Sequence, residues 1–225
     1  MKIKVYSCQI FEVYLNHLQE TMSFDTTFEI SYIEIEQHNE PERLQRQLQQ
    51  AIDTTDGYDY ILLLYGICGN SIRGIQAKDI PVLIPRVHDC ASILLGGKDK
   101  YQEILGHRPS QGWNCLSYDK NNMHDVTLES NPTYLEYKEK YGEDNALYLF
   151  EMLFPKNDDP FYLSLGLEED KTRIASLPEG TEIVRGSLRF LTKILSKEWD
   201  DVLLLQPGEL VDIVYDMDQV IRVKS

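Results

Sequence analysis

In the segment "YDYILLLYG" no charged or amide side chain interrupts the chain from Tyr60 to Tyr65. A strand with one buried face alternates apolar and polar residues, but a strand covered on both faces need not. This run therefore predicts a central strand of a parallel sheet packed between helices. "IPVLIPRV" (80–87) repeats the pattern. Upstream, Ile3 to Tyr6 reads as a short strand, and "IFEVYLNHLQ" places Ile10, Val13, Tyr14, His17 and Leu18 at helical spacing. "FEISYIEI" alternates as a strand, and "HNEPERLQRQLQQAID" follows with Pro41 near a helix start and Leu44, Leu48, Ala51 and Ile52 on one face. After "RV", Asp89 can cap a helix through "CASILL" that stops at Gly96-Gly97.

"HRPSQGWNCLSYDKNNMHD" is rich in turn formers and predicts a loop with one short strand. "NPTYLEYKEKYGEDNALYLFEMLF" predicts helix broken near Gly142. Alternation then resumes with "PFYLSLG", "LEEDKTRIASL", "TEIVRG", "SLRFLTKILSKEW" and "DVLLLQPG", and "LVDIVYD" with "QVIRVKS" forms a closing hairpin. The expectation is one α/β domain over 1–225 with a largely parallel, helix-covered, Rossmann-like sheet. Its internal halves, about 1–110 and 160–225, are joined by a mostly helical segment.

The formal net charge of −15 argues against nucleic acid and against an anionic membrane surface as partners, since both repel an acidic protein. The N-terminal "MKIKVYSC" lacks a signal-peptide core, and no apolar run reaches the length of a membrane span. These features predict a soluble cytoplasmic protein, in which Cys8, Cys68, Cys90 and Cys115 are thiols rather than disulfides.

Cys8, Cys68 and Cys90 each follow a predicted strand. In a parallel sheet those strand ends share one edge, where ligands bind. Thiolates converging there can hold a soft metal ion or an iron–sulfur cluster, with helix N-termini and Arg86 expected to lower their pKa values. A fourth position could be filled by His88, Asp89, His38 or an external ligand, and an open position distinguishes a catalytic from a structural site. The alternative is three plain buried thiols, because cysteine is often packed as a small hydrophobe. Alternation along "VLIPRVHDC" sets Arg86 and His88 on one face and Val87 and Asp89 on the other, so Arg86 and His88 are the candidates to face the crevice, with His38 beside them. Gly66, Gly69 and Asn70 in "YGICGNSIRG" could bring backbone N–H groups to a cofactor, although a tight turn also accounts for them, and Trp113 in "QGWNC" could wall a pocket. Cys115 has no assigned role.

Four stretches, "EQHNEPERL", "LLLYGICGNSIRGI", "VLIPRVHDCASILLGGKDKY" and the later "GW", together resemble the bacterial and archaeal domain-of-unknown-function family DUF1638. A weaker echo lies in "GSLRFLTKILSKEWDDVLLLQPG", and "HRPSQ" departs from the family's threonine- and proline-rich version of that loop. The resemblance implies cysteines after the first strand, in the YG-x-CG turn and in the DC turn, matching Cys8, Cys68 and Cys90 and leaving Cys115 outside. It also implies a neighbourhood of corrinoid-dependent methyl transfer. The leading expectation is a metalloprotein with a three-cysteine metal or iron–sulfur site acting on a small molecule in one-carbon or sulfur metabolism. The alternatives are a non-catalytic accessory protein for a corrinoid or methyltransferase partner, and an α/β binding domain with buried thiols and no metal.

Overall fold

The computed structural model describes residues 1–35, 40–68, 70–106, 112–121, 132–153, 161–213 and 221–224. The chain divides into two compact units, one formed by Met1–Tyr101 with Ser187–Ser225 and the other by Gln102–Gly186.

In the first unit, β1 (Lys2–Cys8) leads through a single 3-10 turn into α1 (Glu12–Thr21). Next come β2 (Thr27–Ile33), α2 (Pro41–Thr54), β3 (Tyr60–Leu64), β4 (Val82–Pro85), α3 (Cys90–Leu95) and the start of α4 (Lys98–Leu105). The sheet has the order β2-β1-β3-β4, with all three pairings parallel. Residues 61 to 64 of β3 and all of β4 are buried, as expected of central strands with both faces covered. Leu44, Leu48 and Ile52 of α2 recur every four residues and are all buried, contributing about 1.5–3 kcal/mol each. Pro41 occupies the first helical turn, where its missing N–H costs nothing.

The chain returns to this sheet at its C-terminal end. After the second unit, α9 (Arg189–Leu195) and β8 (Val202–Leu205) follow, and β8 pairs antiparallel with β4, closing the order as β2-β1-β3-β4-β8. Its connection is tied down at the Arg86 backbone N–H, which donates to the Asp201 carbonyl at 2.8 Å. A hairpin of β9 (Leu210–Ile213) and β10 (Ile221–Lys224) ends the unit, and residues 74–77 run alongside β9 through backbone bonds of 2.9–3.0 Å.

The second unit contains β5 (Trp113–Cys115), α5 (Leu116–Lys120), α6 (Pro132–Tyr141), α7 (Glu143–Leu153), β6 (Phe161–Ser164), α8 (Glu168–Ile174) and β7 (Ile183–Arg185). Its sheet, β5-β6-β7, is parallel throughout. Gly142, at φ +79°, separates α6 from α7 where the sequence predicts the break. Buried Asp170 accepts from the Tyr162 hydroxyl (2.9 Å) and from the Leu165 and Leu167 backbone N–H groups (2.9 and 3.1 Å), fixing the entry to α8. Both units are thus α/β with largely parallel, helix-flanked sheets, and no described helix is long and apolar enough to cross a membrane.

Candidate functional site

Parallel pairing of β1, β3 and β4 puts their C-terminal ends on one edge, and each leads directly to a cysteine. Cys8 is the last residue of β1 and is buried. Cys90 is the first residue of α3 and half-buried. Cys68 lies four residues past the end of β3, also half-buried, and its backbone is left-handed at φ +43°. Asn70 is left-handed as well, at φ +73°. Asparagine enters this region readily, but it costs a cysteine about 1–2 kcal/mol, a strain that persists only where neighbouring contacts over-determine the turn.

Those contacts are visible. The Ile67 backbone N–H donates to the Val87 carbonyl at 3.2 Å, and the Cys68 N–H to the His88 carbonyl at 3.3 Å. Gly66 allows the approach, since a Cβ there would lie 2.6 Å from the Asp89 Cα and N and 2.8 Å from the His88 carbonyl carbon. The exits of β3 and β4 are therefore pressed together main chain to main chain. Gly66 serves this packing.

Asp89 caps α3, its Oδ1 accepting from the Ser92 N–H at 2.8 Å and the Ser92 hydroxyl at 3.0 Å. It also accepts from the Tyr101 hydroxyl, and burial, Asp89 and Cys90 together hold that phenol protonated well above the ordinary tyrosine range. His88 is exposed and stacks on the Tyr101 ring, centroids 5.7 Å apart at 23°. Val87 between them is buried, so the alternation read along "RVHD" holds with His88 outside the core. Arg86 is half-buried beside the β8 connection.

The electrostatics of Cys68 reverse the sequence expectation. Its thiol is pushed up to about 12, first by burial and then by the charges that Cys8 and Asp89 can carry, with the Gly66 backbone only partly offsetting them. Helix N-termini and cations do not decide here, because desolvation and two neighbouring acids outweigh them. Tyr65, 3% exposed, stands in the same field: burial, Cys8 and Cys68 all raise its phenol, and its hydroxyl has no hydrogen-bond partner among the described residues. An orphaned buried hydroxyl is costly unless something is to be bound there.

The chemistry of this donor set suits a thiophilic group: three thiols from adjacent strand ends with an unused O–H beside two of them. In their positions here, no group of three or more His, Cys, Asp or Glu side chains among the described residues is arranged to hold a metal ion. His38 and Gly69, the remaining sequence candidates near this edge, lie outside the described residues. Trp113 belongs to the second unit, where it starts β5 and packs on Tyr118 with centroids 5.1 Å apart. Cys115 is buried in that same unit. Sequence reasoning missed Tyr65 and Tyr101. The first closes an apolar run, and the second ends the stretch "VLIPRVHDCASILLGGKDKY" eleven residues after Cys90, where spacing does not announce its contact with Asp89.

The sequence pattern of the family described as protein of unknown function, DUF1638, matches residues 32–183. The chain belongs to this family. The matched span takes in Cys68, Cys90 and Cys115 and stops short of Cys8, so Cys8 joins the candidate site through the fold. No curated protein matches the chain, and no solved structure does.

Proposed function

We propose that this DUF1638 protein uses Cys8, Cys68 and Cys90 as the thiol donors of a metal ion or iron–sulfur cluster that handles a small molecule in the cytoplasm. The observation that carries this reading is the orphaned Tyr65 hydroxyl, buried beside Cys8 and Cys68 at the edge where three strand ends each deliver a thiol. The strained Cys68 turn adds to it, since left-handed geometry at a non-glycine residue is kept where function needs it. All four cysteines are thiols and not disulfides, as suits a reducing compartment. When bound, an ion with one position left open supplies Lewis acidity towards a sulfur or oxygen atom.

The chain's own residues supply the rest. Cys68 holds its proton in the metal-free protein, so loading must release it, and uptake is favoured as pH rises. Tyr65 offers a buried O–H to the incoming group. Asp89 fixes the first turn of α3 and hence Cys90, and Tyr101 holds both Asp89 and the His88 ring.

Metal and acid-labile sulfide analysis of anaerobically purified protein tests this. Wild type and Cys115→Ser should carry equal metal, and Cys8→Ser, Cys68→Ser and Cys90→Ser should lose most of it while keeping native circular dichroism. Equal retention in all four variants, or equal loss from Cys115→Ser, overturns the assignment.

A further inference from the structure

A cleft of about 830 Å³ opens at the start of α2, lined by Glu40, Glu42, Arg43, Arg46, Asn70 and Arg73 among others. We propose that it binds the oxyanion of a small molecule, a carboxylate, phosphate or sulfonate group, through the guanidinium groups of Arg43, Arg46 and Arg73. In taking that molecule to be the one handled at the thiols, the proposal rests on the function proposed above; the anion site itself stands on its own observations.

Acidic residues outnumber Lys and Arg by 37 to 22 in this chain, yet three arginines face one cleft. Arg43 and Arg46 contact Glu40 (3.2 Å) and Glu42 (3.8 Å) one turn away on the same helix surface. All four side chains are more than half exposed, and such pairs hold weakly, so a bidentate oxyanion can displace them. The side chain of Arg73 has no acidic partner among the described residues, and its own backbone N–H closes a turn onto the Asn70 carbonyl at 3.0 Å. Charge addition at the first turn of α2 favours an anion further, because the positive end of the helix dipole lies there. Arg43 and Arg46 also line a second cleft, of about 520 Å³.

Position links this cleft to the thiols. Asn70 and Arg73 belong to the turn that begins at Cys68, and the Ser71 N–H folds back onto the Cys68 carbonyl at 3.3 Å. A single residue separates Cys68 from Asn70 in sequence, so their Cα atoms lie within about 7 Å of each other. A ligand of ordinary metabolite size anchored by its oxyanion in the cleft can thus extend a second functional group towards Cys68. Glu40 and Glu42 at the same rim discriminate in favour of a group able to compete for both forks, so monovalent halide is disfavoured.

Calorimetric titration of metal-free, full-length protein with inorganic pyrophosphate, inorganic phosphate and malonate, each against sodium chloride at equal ionic strength, provides the test. Saturable binding is expected, with Arg73→Ala weakening it by roughly tenfold or more and Arg73→Lys recovering part. Arg43→Ala and Arg46→Ala should each weaken it too, whereas Cys68→Ser should leave it intact. Tighter binding of phosphates than of malonate assigns the ligand as a phosphate ester, and the reverse assigns it as a carboxylate. No binding beyond the chloride control, or equal binding by wild type and Arg73→Ala, overturns the cleft proposal and leaves the thiol reading standing. Retention of metal in the cysteine variants alongside saturable, Arg73-dependent anion binding overturns the thiol reading alone and leaves the anion site standing.

Discussion

Replacing Gly66 by alanine tests whether the thiol-bearing edge is built on main-chain contact. Gly66 has no left-handed backbone requirement, so an alanine is conformationally allowed and its cost is steric alone. The new Cβ would sit 2.6 Å from the Asp89 Cα and N, where ordinary van der Waals contact begins near 3.5 Å, so the two strand exits must part by about 1 Å. Neither neighbour is the movable end of a side chain. Parting them disrupts the Ile67-to-Val87 and Cys68-to-His88 hydrogen bonds, already 3.2 and 3.3 Å long, at roughly 0.5–1.5 kcal/mol each. Overpacking adds about 1–3 kcal/mol, giving a total of roughly 2–6 kcal/mol. At about 2–4 °C per kcal/mol for a chain of this size, the first unit's melting temperature should fall by roughly 5–20 °C in calorimetry. Gly57→Ala is the control, since its Cβ meets nothing within 4 Å and only its φ of +76° is at stake, worth about 1–2 kcal/mol. The Cys68 thiol of Gly66→Ala should also alkylate faster than in wild type. If Gly66→Ala is no less stable than Gly57→Ala, the backbone clamp is not what holds the turn.

Tyr65→Phe should keep or raise stability by about 1 kcal/mol in urea denaturation, because it removes a buried hydroxyl that has no partner, while lowering metal retention; a clear loss of stability would mean the hydroxyl is structural. Asp89→Asn should be nearly neutral because asparagine also caps, and Asp89→Ala should cost about 0.5–2 kcal/mol by thermal melting; equal losses would point to the Tyr101 contact instead of the cap. Cys68 holds its proton from its ordinary 9.0 up to about 12, so the unfolded chain ionises first as pH rises. The associated stability is therefore complete below pH 9.0 and declines towards about pH 12, and Cys68→Ser should flatten that part of a plot of urea midpoint against pH.

The central strands were readable because burial on both faces leaves an uninterrupted apolar run, as at Ile61–Leu64 and Val82–Pro85. Their cysteines followed from topology, since a parallel sheet collects its C-terminal ends on one edge. Helices α4 and α5 were not readable. Lys98–Leu105 buries only Leu105 and follows a Gly-Gly stop, and the five residues of α5 lie in a stretch of turn formers. The antiparallel return of β8 to β4 was also out of reach, because a period of two announces a strand but not its partner. At the site, alternation along "RVHD" set His88 on the face opposite buried Val87, and an aspartate standing before "CASILL" gave the cap of α3. The Cys68 thiol went the other way from expectation, since desolvation depends on how deeply the turn is set, which spacing does not encode. The arginine cleft joins residues 30 positions apart, and nothing local connects Arg43 to Arg73.

The departures from local preference in the first unit are not evenly spread. Lys197 is left-handed at φ +65°, but it stands just past the end of α9 with its N–H on the Ile194 carbonyl, an ordinary helix stop. Thr26 has a buried hydroxyl without a hydrogen bond among the described residues, beside the residue that begins β2. Several others fall together after β3: left-handed Cys68, the orphaned Tyr65 hydroxyl, a thiol held protonated far above its usual range, and Arg73 on an acidic protein. Stability alone would remove each of them, by glycine at 68, phenylalanine at 65 or an acidic residue at 73. Local and global preferences agree through most of a natural fold and conflict chiefly where a site has to be kept. That these conflicts lie within nine residues, Tyr65 to Arg73, on the edge where a parallel sheet binds its ligands, is an argument for function that holds whether or not a metal is bound.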